Sequence, residues 1–151
     1  MKLFRILPSF IVLLLIASPS FADWKTVQSN GKARAVYQSG NYEVWIHCRR
    51  GQGLELWLRD LTLSGRDFQN VRSLMMWVKL PDGRTDRWPV TVVQEGAGIS
   101  GALLVSDFNL EFFRNAQSFE LDSPQTRQVF LSGDMRGTGA ARLAFLEQCG
   151  L

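Results

Sequence analysis

From Tyr42 to Cys48 the chain alternates strictly with a period of two: Tyr42, Val44, Ile46 and Cys48 fall on one side, and Glu43, Trp45 and His47 on the other. Such alternation is the signature of a half-buried β-strand, with one face for a core and the other polar or available for binding. The same rhythm returns in Leu54, Leu56 and Leu58 against Glu55, Trp57 and Arg59, and again in Leu74, Met76, Val78 and Leu80 against Met75, Trp77 and Lys79. Three aliphatic stripes at period two confine the chain to an antiparallel, sheet-based fold. The Tyr42–Cys48 strand also carries the single histidine and the first of two cysteines. The second, Cys149, lies at the far end of the chain, so a bond between them ties the C-terminus to this strand.

Residues 1–22 read as a secretory signal peptide. Lys2 and Arg5 give a charged start, Ile11 to Ala17 an apolar run, and Ser20-Phe21-Ala22 a small-x-small cleavage site. The apolar run is shorter than the roughly 20 residues a membrane span needs, and Pro8 and Pro19 interrupt the segment. Residue 23 is Asp, so cleavage after Ala22 leaves no thiol for lipid attachment. The expected product is a single domain, 23–151, exported to the periplasm or beyond. Without Lys2 and Arg5 it carries 15 basic and 14 acidic side chains, a net charge of +1, with no basic run longer than Arg49-Arg50. That balance gives no reason to invoke nucleic acid or insertion into a membrane. In an exported chain two cysteines are most simply one disulfide, and one histidine with two distant cysteines is a poor zinc set.

Along the domain, Trp24 to Ser29 and Lys32 to Gln38 flank Asn30-Gly31, a dipeptide suited to a two-residue hairpin. Gly40-Asn41 turns into the central strand and Gly51-Gln52-Gly53 out of it. Ser64 to Asn70 reads as a connection. Pro81-Asp82-Gly83-Arg84 is a tight turn before a return strand at Trp88 to Val93, where Pro89 requires an edge position or a strand start. Gly96, Gly98 and Gly101 then read as a loop. Their spacing matches a dinucleotide fingerprint by letter but lacks the βαβ setting, so no cofactor is implied. Ser106 can cap a helix from Asp107 to about Ala116, with Phe108, Phe112 and Ala116 recurring every four residues. Strands at Ser118 to Asp122 and Arg127 to Ser132 follow. Thr138 can cap a final helix through Cys149, with Ala141, Phe145 and Cys149 on one stripe and Gly150 just past its end. The expected fold is mainly β: an antiparallel sandwich or strongly curved sheet of about seven to nine strands, with a short internal helix and a C-terminal helix tethered by Cys48–Cys149.

The ending VFLSGDMRGTGAARLAFLEQC, a strand leading into a short alanine-rich helix that closes on cysteine, resembles the end of two kinds of small periplasmic protein. One is the invasion-associated locus B family; the other is the VasI-type proteins associated with type VI secretion. The matching residues are Phe130, Ser132, Gly133, Ala140, Ala141, Leu143, Leu146 and Cys149, with Cys48 as the upstream partner. The resemblance implies a compact β-sandwich-like periplasmic module with an accessory or host-interaction role. The chain departs from the invasion-associated pattern in having only two cysteines.

Chemistry is sparse. Nucleophilic catalysis needs an activated Ser, Cys or Thr beside a base, and His47 and Cys48, as successive strand residues, face opposite sides. Glu43, Glu55, Glu95 and Glu111 could in principle supply paired carboxylates, yet no spacing singles any of them out. The pattern that stands out is aromatic. Trp45, Trp57 and Trp77 each lie opposite an aliphatic stripe, flanked by Glu43 and His47, by Glu55 and Arg59, and by Met75 and Lys79. If the three strands are neighbours, these tryptophans form one charge-bordered patch of the kind found at interaction hot spots. If the face is covered, they form a second core layer. The expectation is a non-enzymatic binding or accessory protein for a cell-envelope protein or glycan, linked to a secretion system or virulence. Its rivals are an inhibitor or immunity-type protein blocking a cell-wall enzyme, and a small hydrolase using the acidic residues near the tryptophans.

Overall fold

A computed structural model describes residues 23–104 and 106–151. The proposed leader, 1–22, lies outside the described residues, as do the side chains of Phe108 and Phe112. The elements run β1 (Lys25–Ser29), β2 (Lys32–Ser39), β3 (Tyr42–Arg49), β4 (Leu54–Asp60), a 3-10 turn (Arg66–Phe68), β5 (Ser73–Lys79), β6 (Thr85–Thr91), β7 (Val93–Glu95), β8 (Gly98–Leu103), α1 (Asp107–Asn115), β9 (Ser118–Ser123), β10 (Gln128–Asp134) and α2 (Thr138–Cys149). They form two antiparallel sheets, a six-stranded sheet A in the order β1-β2-β3-β4-β8-β7 and a four-stranded sheet B in the order β10-β9-β5-β6.

The aliphatic stripes decide which faces meet. Val44, Ile46, Leu56 and Leu58 of sheet A, and Leu74, Met76 and Val78 of sheet B, are all buried. Each fully buried aliphatic side chain is worth about 1.5–3 kcal/mol relative to an exposed one, so a one-residue slip of any of these strands would forfeit several such terms at once. Aromatic rings join the layers: Tyr37 of β2 meets Phe119 of β9 edge-on at 4.9 Å, and Tyr42 of β3 meets Phe130 of β10 at 5.3 Å. Where β8 crosses β6 the backbones come so close that a Cβ on Gly101 would run into the Thr91 carbonyl.

α2 packs against β1, β2 and β3. Its buried stripe is Thr138, Ala141, Ala144, Phe145 and Cys149, and Cys149 is bonded to Cys48 across 101 residues of sequence. The Glu111 carboxylate of α1 pairs with Arg142 of α2. α1 is capped as its sequence implies: the Ser106 hydroxyl accepts from Asn109 N–H at 3.4 Å while the Asn109 side-chain oxygen, Oδ1, accepts from Ser106 N–H at 2.8 Å. Among the described residues no helix is long and apolar enough to cross a membrane.

Three expectations are corrected. Among the described residues ten strands form rather than seven to nine, because β7 and β8 add to those expected; the glycine-rich stretch is not a loop, and Gly98 and Gly101 lie within β8, paired to β4, where small residues permit close approach. The return strand after the Pro81 turn is split into β6 and β7, which belong to different sheets; Pro89 sits on the edge strand β6, as its missing N–H demands. Thr138 does not cap α2. Gly137, at φ 92°, holds that position, and the buried Thr138 hydroxyl donates to the carbonyls of Met135 at 2.7 Å and Phe113 at 3.0 Å.

The crossing from sheet A to sheet B is organised by Asp60, the last residue of β4, which is only 2% exposed. Its carboxylate accepts from Thr62 N–H (2.8 Å), the Thr62 hydroxyl (2.6 Å), the Ser64 hydroxyl (2.7 Å) and Gly65 N–H (2.9 Å). These donors outweigh the desolvation that opposes them and hold the carboxyl far below its ordinary 3.8. A depressed folded-state value means that the stabilisation is complete above pH 3.8 and is lost progressively as pH falls below it. Asp60→Asn, which presents an NH2 group to donors, is expected to cost about 2 kcal/mol at neutral pH. It should also flatten the acid limb of a urea-midpoint profile between neutrality and low pH. Parallel acid limbs in the two proteins would refute this role.

Candidate interaction face

With the aliphatic stripes turned inward, the alternate residues of β2, β3, β4 and β8 form the outer face of sheet A, arranged in rows across the strands by the register. One row runs Lys25, Val36, Trp45, Trp57, Ser100 and Val93. The row beside it runs Val27, Arg34, His47, Glu55 and Ala102. Beyond that lie Ser29, Lys32 and Arg49, and on the other side of the tryptophans lie Gln38, Glu43 and Arg59.

Trp45 and Trp57 are directly opposed, with ring centroids 6.1 Å apart and planes 30° from parallel. The Arg34 guanidinium stands over the Trp45 ring at 4.4 Å, and that of Arg59 approaches it at 6.0 Å. Trp45 thus sits in a short ladder of cations and rings, each contact contributing on the order of 0.5–1 kcal/mol at a partly solvated site. Trp45 Nε1–H donates to Glu43 Oε1 at 2.6 Å. Both rings are half-buried, while Arg34, Arg49, Arg59 and Val27 are exposed. Buried Trp57 Nε1 has no hydrogen-bond partner among the described residues.

His47 Nε2 lies 2.8 Å from Glu55 Oε2 on the neighbouring strand. Burial disfavours the imidazolium most strongly; Glu55 acts the other way, the nearby Arg34 and Arg49 add to the effect of burial, and the His47 pKa is lowered from its ordinary 6.5. At neutral pH the imidazole is therefore largely uncharged, and its Nε2–H donates to the carboxylate. Cys48, the next residue, faces the core in its disulfide and does not approach the imidazole from the same side. Glu95 accepts from the Ser100 hydroxyl at 3.1 Å, and Glu111 of α1 is paired with Arg114 of the same helix and Arg142 of α2. Among the described residues no three of His, Cys, Asp and Glu gather where they could hold a metal ion.

The three tryptophans do not share a face. β5 belongs to sheet B, so Trp77 and Lys79 lie on the opposite outer surface of the sandwich. There Trp77 pairs across the strands with Arg87 and Glu120, and its Nε1–H donates to Asp122 Oδ2 at 3.0 Å. Alternation fixes the side of its own strand on which a residue lies but not the sheet the strand joins. Arg34 and Lys32 were missed as members of the Trp45 face. Their signal was the alternation of Lys32, Arg34 and Val36 with Ala33, Ala35 and Tyr37, which places both cations opposite the buried side of β2.

Comparison of the chain with protein-family models, curated proteins and solved structures yields no match.

Proposed function

We propose that this chain is an exported, non-enzymatic binding or accessory protein of the cell envelope, released into the periplasm by cleavage after Ala22, and that the outer face of sheet A recognises its partner. The observation that carries this reading is the Arg34–Trp45–Trp57 ladder, a half-buried aromatic pair rimmed by exposed arginines on a face opposite the core. Aromatic and arginine side chains of this kind dominate binding energy at recognition surfaces. One further feature supports a non-enzymatic role: the thiol next to the one histidine in sequence is consumed in a disulfide. The resemblance of the C-terminal strand and helix to secretion-associated and invasion-associated proteins favours an accessory role in secretion or virulence.

Titration of isotope-labelled protein with soluble envelope fractions, glycan and protein separately, tests the reading. The indole resonances of Trp45 and Trp57 should shift while that of Trp77 does not. Shifts confined to the outer face of sheet B would overturn it. Trp57→Ala should cost about 1–2 kcal/mol of stability, in line with a half-buried ring that loses cross-strand contacts, and should weaken binding far more than it lowers the melting midpoint.

A further inference from the structure

Beside the tryptophan row, the outer face of sheet A dips into an open concavity of about 300 Å³, lined among others by Val27, Ser29, Lys32, Arg34, His47 and Arg49. Its charged lining is three cations, Lys32, Arg34 and Arg49, with no carboxylate. Lys32 and Arg49 are directly opposite each other in the β2–β3 register, and like charges in that position repel. Among the described residues none of the three cations is in an ion pair with an acidic side chain: the acids of this face are turned elsewhere, Glu55 to His47, Glu43 to Trp45 and Glu95 to Ser100. The fold therefore gathers positive charge in a concave place with no carboxylate paired to it among the described residues, Arg34 meeting only the Trp45 ring. Such an arrangement destabilises the free protein slightly and is relieved by an anion.

We propose that this concavity binds the anionic groups of an acidic glycan, with sugar rings lying along the adjoining Trp45–Trp57 row. The inference rests on the reading of this face as the recognition surface and names its ligand class. A polysaccharide suits the layout better than an acidic peptide. Peptides recognised by sheets usually add as a strand at an edge through main-chain hydrogen bonds, whereas β2 and β3 are interior strands whose main-chain groups are already paired on both sides. The edge strand β1 contributes Val27 and Ser29 to the lining, but the cations and indoles stand on interior strands that offer side chains alone, of two kinds: cations for carboxylate or sulfate groups and indoles for the apolar faces of sugar rings. Successive rows lie two residues apart, about 7 Å along the strands, so the cations and the tryptophans can be met by neighbouring units of one chain. The bound group can be a uronate carboxylate or a sulfate ester, which present the same negative oxygens to Arg34 and Arg49.

The test uses the intact disulfide-bonded protein in calorimetric titrations with four probes: a galacturonate hexamer, a heparin-derived hexasaccharide, maltohexaose and a hexaglutamate peptide. At least one acidic glycan should bind tenfold or more tightly than both maltohexaose and hexaglutamate, and its affinity should fall as salt is raised. Which acidic probe binds identifies the group as carboxylate or sulfate. The double substitution Lys32→Ser with Arg49→Ser should weaken that binding at least tenfold and leave the melting midpoint equal or higher, since opposed like charges are removed. Lys79→Ser with Arg87→Ser, on the other sheet, should change affinity less than twofold. Hexaglutamate binding as tightly as the glycans, equal losses in the two double variants, or no binding of either acidic glycan would each overturn the proposal. Neutral glycan or envelope-protein fractions that still shift Trp45 in that case would leave the recognition face standing and remove only its ligand.

Discussion

Cys48→Ala with Cys149→Ala is expected to lower unfolding stability by about 4 kcal/mol, and to release α2 before either sheet opens. The disulfide joins residues 101 apart in sequence, so in the chain-entropy picture it restricts everything from β3 to α2 in the unfolded state. Its effect on the folded state is local. α2 has 12 residues, a length that is marginal for an isolated helix, and its ends are weak. Its N-cap is Gly137 with no side-chain hydrogen bond, and no acidic residue in its first turn or basic residue in its last complements the helix dipole. The Gly150 αL cap, the burial of Ala141, Ala144 and Phe145, and the covalent bond to β3 are what hold it. Guanidinium unfolding of the double variant gives the free-energy loss, and native-state hydrogen exchange gives its location. Amides of 139–149 should exchange through a low-energy opening while those of β3, β4 and β5 still require global unfolding. A loss below 1 kcal/mol, or exchange accelerated uniformly across sheets and helix, would contradict this account.

That helix and that bond were legible in the sequence, since an apolar stripe ending in one of two cysteines leaves little freedom in a sandwich. The same holds for β3, β4 and β5, whose alternation is uninterrupted, and for the Asn30-Gly31 hairpin, with Gly31 at φ 71°. β8 was not legible. Gly98 and Gly101 look like breakers, yet each lacks a side chain because a backbone lies against it, the Leu58 carbonyl in one case and the Thr91 carbonyl in the other. Close approach is a tertiary fact, and glycine signals it with the same letter as a loop. The β9 partner of β5 was hidden for a related reason: each strand declares an inner and an outer side, and the Pro81 turn declares the β6 return strand, but the β5–β9 pairing is long-range and no local pattern records it. The candidate site inherits this division. Its Trp45–Trp57 pair follows from two adjacent strands joined by a short turn, whereas the place of Trp77 and the stacking of Arg34 follow from which strands lie beside them.

Trp24→Ala is expected to cost about 3–5 kcal/mol, several times the loss expected from Trp57→Ala. Trp24 is 3% exposed and joins three parts of the fold through its ring: Tyr37 of β2 at 5.4 Å, Phe113 of α1 at 5.6 Å and Phe119 of β9 at 5.1 Å. Its backbone N–H donates to the Arg136 carbonyl at 2.8 Å, and its own carbonyl lies so close to Gly137 that a Cβ there would clash, which fixes the entry to β1 against the start of α2. Replacement by alanine leaves a cavity between both sheets and α1 that rigid neighbours cannot fill. Trp24→Phe should cost much less, because it keeps a ring in place and removes a buried Nε1–H that has no acceptor among the described residues. Urea unfolding of the three variants orders them: Trp24→Ala as the largest loss, with Trp24→Phe and Trp57→Ala well below it. The comparison bears on function as well as stability. Had the outer ladder been a second core, Trp57→Ala would match Trp24→Ala, and the charge-rimmed face of sheet A would be structural throughout. A gap of 2 kcal/mol or more between the two alanine variants therefore supports the division of labour in which Trp24 closes the core and the Trp45–Trp57 pair remains free to meet a partner.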